Sequence, residues 1–452
     1  MTVQRDIRCV LVANRGEIAL RVLRACTELG LKTIAVYSEA DKDSMHVRAA
    51  DRAVCIGPAA SKQSYLDPER LVGAALAFGA DAIHPGYGFL SEKASFAQLC
   101  ENEKIIFVGP GSEVISLMGD KIEARRFAKR AGIPTVPGSE GAVSDPDEAA
   151  RIAKEIGFPL LLKASAGGGG RGMRVVTRLE DLQRMFFEAS GEASAAFGDP
   201  SVYIERYLAN VRHVEIQVLG DGNRVIHLGE RDCSTQRRNQ KLVEEAPSPA
   251  LDAALRSRMG HAAVHLCSEA GYTSAGTVEF IFDQDTGEFY FMEMNTRIQV
   301  EHPVTEMVTG IDLVKEQLRI ASGKAMELRQ SDVEIRGHAI ECRINAEDHE
   351  HGFAPCPGLI SRFVCPGGPG VRVDSHIESG YRVPPFYDSL LAKLICWGRD
   401  RDEAIARLLR ALGEIRVDGI KTTIPFHQKL LMHEEFQAGQ VNTRFVPDVL
   451  RY

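Results

Sequence analysis

The segment Glu293-Met-Asn-Thr-Arg-Ile-Gln-Val-Glu-His302 constrains this chain more than any other, because acidic, amide and cationic side chains recur in it at every second position. Upstream lies Ala275-Gly-Thr-Val-Glu-Phe-Ile-Phe282, and between the two runs stands Asp285-Thr-Gly287, whose closing glycine suits a three-residue hairpin loop with a left-handed last residue. A hairpin centred on Thr286 sets Glu279 directly opposite Glu293 on one face. Alternation brings Asn295 to that face and turns Val278, Phe280, Met292 and Met294 to the other. Glu279, Glu293 and Asn295 then form an all-oxygen donor set that suits magnesium, which completes its shell with water and nucleotide phosphates.

If the backbone stays extended past Asn295, Arg297, Gln299 and Glu301 share one side and Ile298 and Val300 the other, until Pro303 stops the strand. An arginine fork, an amide and a carboxylate thus converge beside the metal set. Such a group can grip a small planar oxyanion bidentately and take its proton. A charged surface hairpin is the plain alternative, and five polar positions in matching phase argue against it.

At 452 residues the chain is too long for one core and fits two or three domains. A net charge of -8 argues against a nucleic-acid partner. The ten cysteines form no C-x-x-C pair, Met1-Thr-Val-Gln-Arg-Asp6 shows no export signal, and no apolar run approaches bilayer length. A reducing cytoplasm and no membrane contact are therefore expected.

Ile7 to Ala13, Glu17 to Leu29 closed by Gly30, and Thr33 to Tyr37 read as strand, helix and strand. They open a parallel α/β layer to which 81–84 and 105–109 add strands, while Asn14-Arg-Gly-Glu17 lacks dinucleotide glycine spacing. Farther on, Phe158 to Val176 holds two strand-like runs joined by Gly167 to Gly170 and Gly172. No helix start follows these glycines, and no Lys-Ser/Thr, so neither a Rossmann site nor a P-loop fits; a glycine hairpin able to close its bare amides over phosphates remains, with Lys163 at its base. From about Val333 onward short strands and Pro/Gly turns predominate, with helical segments near Asp402 to Glu414.

These motifs, together with Ala13-Asn-Arg-Gly-Glu17, His84 to Glu92, Met118 to Lys121, Arg231-Asp-Cys233, Gln236 to Lys241 and Glu341 to Asp348, span essentially the whole chain. In this order they resemble an ATP-grasp enzyme, specifically the biotin carboxylase component of biotin-dependent acyl-CoA carboxylases. The resemblance implies a multidomain α/β and α+β fold: a Rossmann-like N-terminal domain at 1–118, an ATP-grasp domain at 119–330 with its lid at about 136–207, and a β-rich C-terminal domain at 331–452. It implies that Lys121, Lys163, Gly168 and Gly169 meet ATP phosphates, that Glu205, Arg206 and Leu208 lie along the adenine, and that His213, Gln236 and Asn239 complete the nucleotide site. Glu279, Glu293 and Asn295 match its Mg2+ or Mn2+ positions. Lys241, Arg297, Gln299, Val300 and Glu301 match its bicarbonate pocket, with Glu301 as general base. Tyr87, Gly88 and Arg343 match the biotin side, Arg343 stabilising charge on the ureido oxygen.

One departure is Asn239, where members of the family often carry histidine; an amide can donate to a phosphate but cannot carry charge. There is no Met-Lys-Met tripeptide of the kind that carries biotin, nor a carboxyltransferase segment, so a separate biotin carboxyl carrier protein and carboxyltransferase subunits are expected. Acceptor choice among acetyl-CoA, propionyl-CoA and pyruvate belongs to the carboxyltransferase. Family analogy also implies a homodimer. Two rivals share some of these features: another ATP-grasp ligase acting on a carboxylate and an amine, and a nucleotide sensor without catalysis.

Overall fold

The protein is described by a computed structural model covering residues 6–164, 173–197 and 200–451. The glycine lid, with Gly168 and Gly169, lies outside the described residues.

Five short parallel strands open the chain: β1 (Cys9–Val12), β2 (Lys32–Ser38), β3 (Arg52–Gly57), β4 (Ala82–His84) and β5 (Ile106–Phe107). Their order, β3-β2-β1-β4-β5, reverses direction between β1 and β4. Val10, Leu11 and Val12 are fully buried, as a strand covered on both faces requires. The loops after β1 and β4 meet where the order reverses, the usual place for a ligand crevice in such a sheet. There Asn14 Nδ2 donates to the carbonyls of Pro85 and Tyr87, each at 2.7 Å, so the two turns are fixed to one another.

A three-stranded antiparallel sheet follows, with β6 (Leu160–Ala164) between β7 (Arg174–Val176) and β8 (Val202–Arg206). Leu160, Leu162 and Val176 pack on Phe186 and Ala189 of the helix Leu179–Phe197, giving this subdomain its own core.

The main body is an eight-stranded antiparallel sheet. Its strands run β13 (Glu288–Asn295), β12 (Thr273–Asp283), β9 (Val211–Asp221), β10 (Val225–Arg237), β11 (Gln240–Ala246), β14 (His338–Asn345), then Leu390–Gly398 and Val371–Ser375. The pairing of β11 with β14 carries this sheet without a break across the boundary expected near residue 330. Lys241 and Arg343 therefore sit on adjacent strands although about a hundred positions separate them in sequence.

The hairpin of β12 and β13 has the expected register at its functional end, Glu279 opposite Glu293, but reaches it differently. Asp283 pairs with Glu288, so the loop holds four residues, Gln284 to Gly287, with Gly287 at φ +72°. A bulge at Met292 takes up the difference, since Phe280 pairs with Phe291 while Glu279 pairs with Glu293. Phe291 N donates at 2.7 Å to the carbonyl of Pro134, tying the bulged edge to a neighbouring segment. Met292 consequently lies half-buried on the cavity wall, whereas alternation had sent it into the core with Val278, Phe280 and Met294.

The strand does not continue past Asn295. The chain turns, Ile298 drops fully buried into the core against the first layer, and Glu301 becomes the residue preceding the helix His302–Thr309. Pro303 does not end a strand; it occupies the first turn of that helix, where a missing N–H costs nothing. His302 Nδ1 bonds the carbonyl of Gln299 at 2.7 Å and holds the bend in place.

Candidate active site

A cavity of about 1210 Å³ lies between the crevice of the first layer, the lid strands and one face of the large sheet. Register sets Arg231, Glu215, Glu279 and Glu293 side by side on four neighbouring strands, and of these Glu279 and Glu293 line the cavity. In β9 the sequence His213-Val-Glu-Ile-Gln-Val218 alternates polar and apolar side chains, so one strand supplies both the core residues Val214, Ile216 and Val218 and the polar row His213, Glu215 and Gln217.

Glu279 is the centre of this row. Its carboxylate accepts from His213 Nε2 at 2.7 Å, Asn295 Nδ2 at 2.7 Å, Gln299 Nε2 at 2.9 Å and Lys241 Nζ at 3.0 Å. Burial alone would push this carboxyl up, but Lys241 and His213 outweigh it and hold Glu279 well below the ordinary range. His213, whose charged form burial disfavours, is raised in turn by Glu279.

Lys241 Nζ bridges three carboxylates, at 2.6 Å from Glu215, 3.0 Å from Glu279 and 2.7 Å from Glu301. Burial works against its charge, and the three acids more than compensate, so its proton is held tightly. Glu301 also takes Arg343 Nη2 at 3.1 Å on its second oxygen. For Glu301, too, burial favours the neutral acid; Lys241, Arg343 and Arg231 reverse that and keep it ionised well below the usual carboxylate range. Behind Arg343 stands Glu244, 2.6 Å from its Nε, pushed up to about 7 by burial that the Arg343 charge only partly offsets.

Arg297 Nε donates to Glu92 at 2.8 Å and its Nη atoms to Gln299 Oε1 at 2.7 Å and Asn295 Oδ1 at 3.0 Å. So Arg297, Gln299 and Glu301 do converge on the cavity, aimed by a turn instead of by strand alternation. Lys121 reaches Glu293 at 3.2 Å from a largely exposed position, and Lys163 pairs with Glu205. Gln236, Asn239, Val300, Tyr87 and Gly88 also line the cavity, and Tyr87 donates its hydroxyl to Glu17. Arg206 and Leu208 do not: by alternation in β8 Arg206 faces away from Glu205.

For a divalent ion, Glu279 and Glu293 offer facing carboxylates at a cavity large enough for a nucleotide, and Asn295 adds an amide two residues on. Hard oxygen donors of this kind fit magnesium. His213, Glu215 and Glu279 also bring ligand atoms within 4.8 Å of one another, but Lys241 Nζ already fills the space among them.

Glu215, Glu244, Glu92 and Arg231 were not assigned roles from sequence, yet they set the charge and direction of those that were. Arg231 alone spans Glu215 at 2.6 Å, Gln217 at 2.7 Å and Thr305 at 2.9 Å. The alternation of β9 is a signal that would have found Glu215.

Three family descriptions match successive stretches: "Biotin carboxylase, N-terminal domain" at 6–115, "Carbamoyl-phosphate synthase L chain, ATP binding domain" at 120–329 and "Biotin carboxylase C-terminal domain" at 341–448. Biotin carboxylase 1 of Bacillus subtilis is 59% identical over 97% of this chain and 98% of its own. The chain belongs to the biotin carboxylase family. Within that family it is also similar to the biotin carboxylase of a Nostoc species, 58% identical over 97% of this chain and 98% of that one. Among solved structures, the biotin carboxylase domain dimer of Hydrogenobacter thermophilus 2-oxoglutarate carboxylase, in complex with MgADP, ADP and bicarbonate, superposes with a TM-score of 0.91. It is 52% identical to this chain, and each covers 98% of the other. The three-domain biotin carboxylase architecture, with a Rossmann-like first layer, an ATP-grasp unit and a β-rich last unit, is thus the fold of this chain.

Proposed function

We propose that this chain carboxylates biotin carried on a separate protein, using ATP and bicarbonate and releasing ADP and phosphate, the first half-reaction of a biotin-dependent carboxylase such as acetyl-CoA carboxylase. The observation that carries this reading is Glu301, a buried carboxylate kept ionised between Lys241 and Arg343 on the wall of a nucleotide-sized cavity.

Bicarbonate is a poor electrophile because its carbon bears oxygens that share a negative charge. Arg297, Gln299, Lys241 and the Val300 backbone hold it, and Glu301 takes its proton. As the substrate anion draws Lys241 and Arg343 towards its own charge, Glu301 gains the proton affinity a base needs. The deprotonated anion attacks the γ-phosphate of ATP and displaces ADP, giving carboxyphosphate, with Lys163 beside the phosphates. Glu279 and Glu293, with Asn295 beside them, would hold Mg2+ or Mn2+, which neutralises phosphate charge when bound. Lys121 steadies the phosphates, Glu205 borders the adenine, and His213, Gln236 and Asn239 lie along the ribose and phosphates. Tyr87, Gly88 and Arg343 receive the biotin ring. Carboxyphosphate splits into carbon dioxide and phosphate, the phosphate takes the ring N1' proton, and the nitrogen attacks the carbon dioxide while Arg343 counters the negative charge that grows on the ureido oxygen.

A biotin carboxyl carrier protein and carboxyltransferase subunits are the implied partners, and the dimer of the Hydrogenobacter relative supports a homodimer. All ten cysteines are free thiols, which fits a reducing cytoplasm. The test is phosphate release from Mg-ATP with bicarbonate, with and without free biotin. Stimulation by biotin is the expected result. Stimulation by an amine substrate instead would select another ATP-grasp ligase, and nucleotide binding without release would select a sensor.

A further inference from the structure

Lys393, on the strand Leu390–Gly398, is fully buried, and the scheme above gives it no task. Its Nζ donates to the backbone carbonyl of Val300 at 3.0 Å and lies 3.1 Å from Glu17 Oε2 and 3.9 Å from Asp374 Oδ2. Glu17 in turn accepts the Tyr87 hydroxyl on its other oxygen. One ammonium thus links the loop after β13, the first turn of the helix Gly16–Glu28 and the last strands of the large sheet. Lys393 does not line the cavity, whereas Glu17, Tyr87 and Val300 all do.

Stability gives little reason for an ion pair at this point, because apolar side chains in place of both Lys393 and Glu17 often do as well, whereas losing Lys393 alone leaves Glu17 buried without its counter-charge. Asp374 does not depend on Lys393, being paired with Arg372 at 2.9 and 2.7 Å. What a long cationic donor offers is a fixed bond to a carbonyl that has no strand partner. Residues 296–301 have left the sheet; Gln299 O is held by His302 Nδ1 and Val300 O by Lys393. Those two bonds orient the peptide planes on either side of Val300, and with them the directions of Gln299 and Glu301.

We propose that Lys393 is a positioning residue for carboxyl transfer: it fixes the backbone from Gln299 to Glu301 and, through Glu17, the Tyr87 hydroxyl, so that the bicarbonate and biotin sides of the cavity keep one register. This rests on the biotin carboxylation reading above.

The test uses the full chain, with KM for bicarbonate and free biotin read from phosphate release and MgADP affinity from titration calorimetry. Lys393→Met is expected to raise both KM values by about tenfold while MgADP affinity stays within about twofold of the parent. Lys393→Arg, which keeps a donor and a charge, recovers part of the loss. In the Lys393→Met background, Tyr87→Phe raises the biotin KM by no more than about twofold further, because the two residues act through one linkage.

A purely structural lysine gives the opposite pattern: unchanged KM values with kcat falling in step with the folded fraction, and additive effects with Tyr87→Phe. Either result overturns the proposal. Should Lys393→Met fail to fold, Glu17→Gln makes the same test, since it keeps an acceptor for Tyr87 and removes the charge facing Lys393. It is expected to raise the biotin KM about fivefold with MgADP affinity intact, and an unchanged biotin KM overturns the linkage. A parent chain whose phosphate release ignores biotin contradicts the functional reading instead; the positioning role is then read from bicarbonate-dependent ATP cleavage, where Lys393→Met must still raise the bicarbonate KM.

Discussion

Glu301 and Lys241 are joined at 2.7 Å inside a shell that also brings Arg343 to within 3.1 Å of the same carboxylate. Glu301→Gln keeps the shape and removes the proton acceptor. Lys241 retains Glu215 and Glu279, so the pocket stays assembled. Bicarbonate-dependent phosphate release is expected to fall by about 10²- to 10⁴-fold, the usual worth of a general base, with MgADP binding retained in calorimetry.

The two facing glutamates are not equivalent. Glu279 is buried and also holds Lys241, His213, Asn295 and Gln299, whereas Glu293 is partly exposed and pairs with the exposed Lys121. Glu293→Gln is therefore expected to weaken Mg2+-dependent nucleotide binding with little change in melting temperature. Glu279→Gln should lower both, because it also strips charge from a buried ammonium. Titration of MgADP against ADP alone, beside a thermal melt, separates the two.

Acid stability has an identifiable contributor away from the cavity. Burial would raise Glu245, but a hydrogen bond from His338 at 2.8 Å and the Arg401 guanidinium at 2.7 Å bring its pKa from an ordinary 4.5 down to about 2. A folded pKa below the unfolded one stabilises above the unfolded value and is lost as pH falls through the folded one. The contribution, about 3 kcal/mol at neutral pH, should thus disappear between roughly pH 4.5 and 2. In Glu245→Gln, unfolding followed by circular dichroism is expected to lose that part of its pH dependence.

Asn239 and Arg238 form the two-residue turn between β10 and β11, with φ of +64° and +48°. Both central residues left-handed is the type I′ hairpin turn, for which asparagine is favoured. Asn239→Ala should cost about 1 kcal/mol through its left-handed backbone, and Asn239→Gly should not. The ordering of the three melting temperatures, with alanine lowest, checks this.

The Glu279–Glu293 pairing was legible because a period of two and a glycine-closed loop are local signals, and Arg297, Gln299 and Glu301 shared the phase. The bulge at Met292 was not, since it is tied to a carbonyl of Pro134, far away in sequence. Ile298 explains why the extended strand failed: burying it against the first layer, worth about 2 kcal/mol, turns the chain out of the sheet. Arg343 was reachable only through family resemblance, because Glu244, which aims it, lies 99 positions away. A separation of 93 positions likewise hides Lys393 from Val300.

The central claim is tested most directly by following label from radioactive bicarbonate. The chain is incubated with Mg-ATP and free biotin or a biotinylated carrier protein, and acid-labile carboxybiotin is measured. ATP-dependent label on biotin that vanishes in Glu301→Gln is the expected result. Phosphate release with no label on biotin would contradict the account.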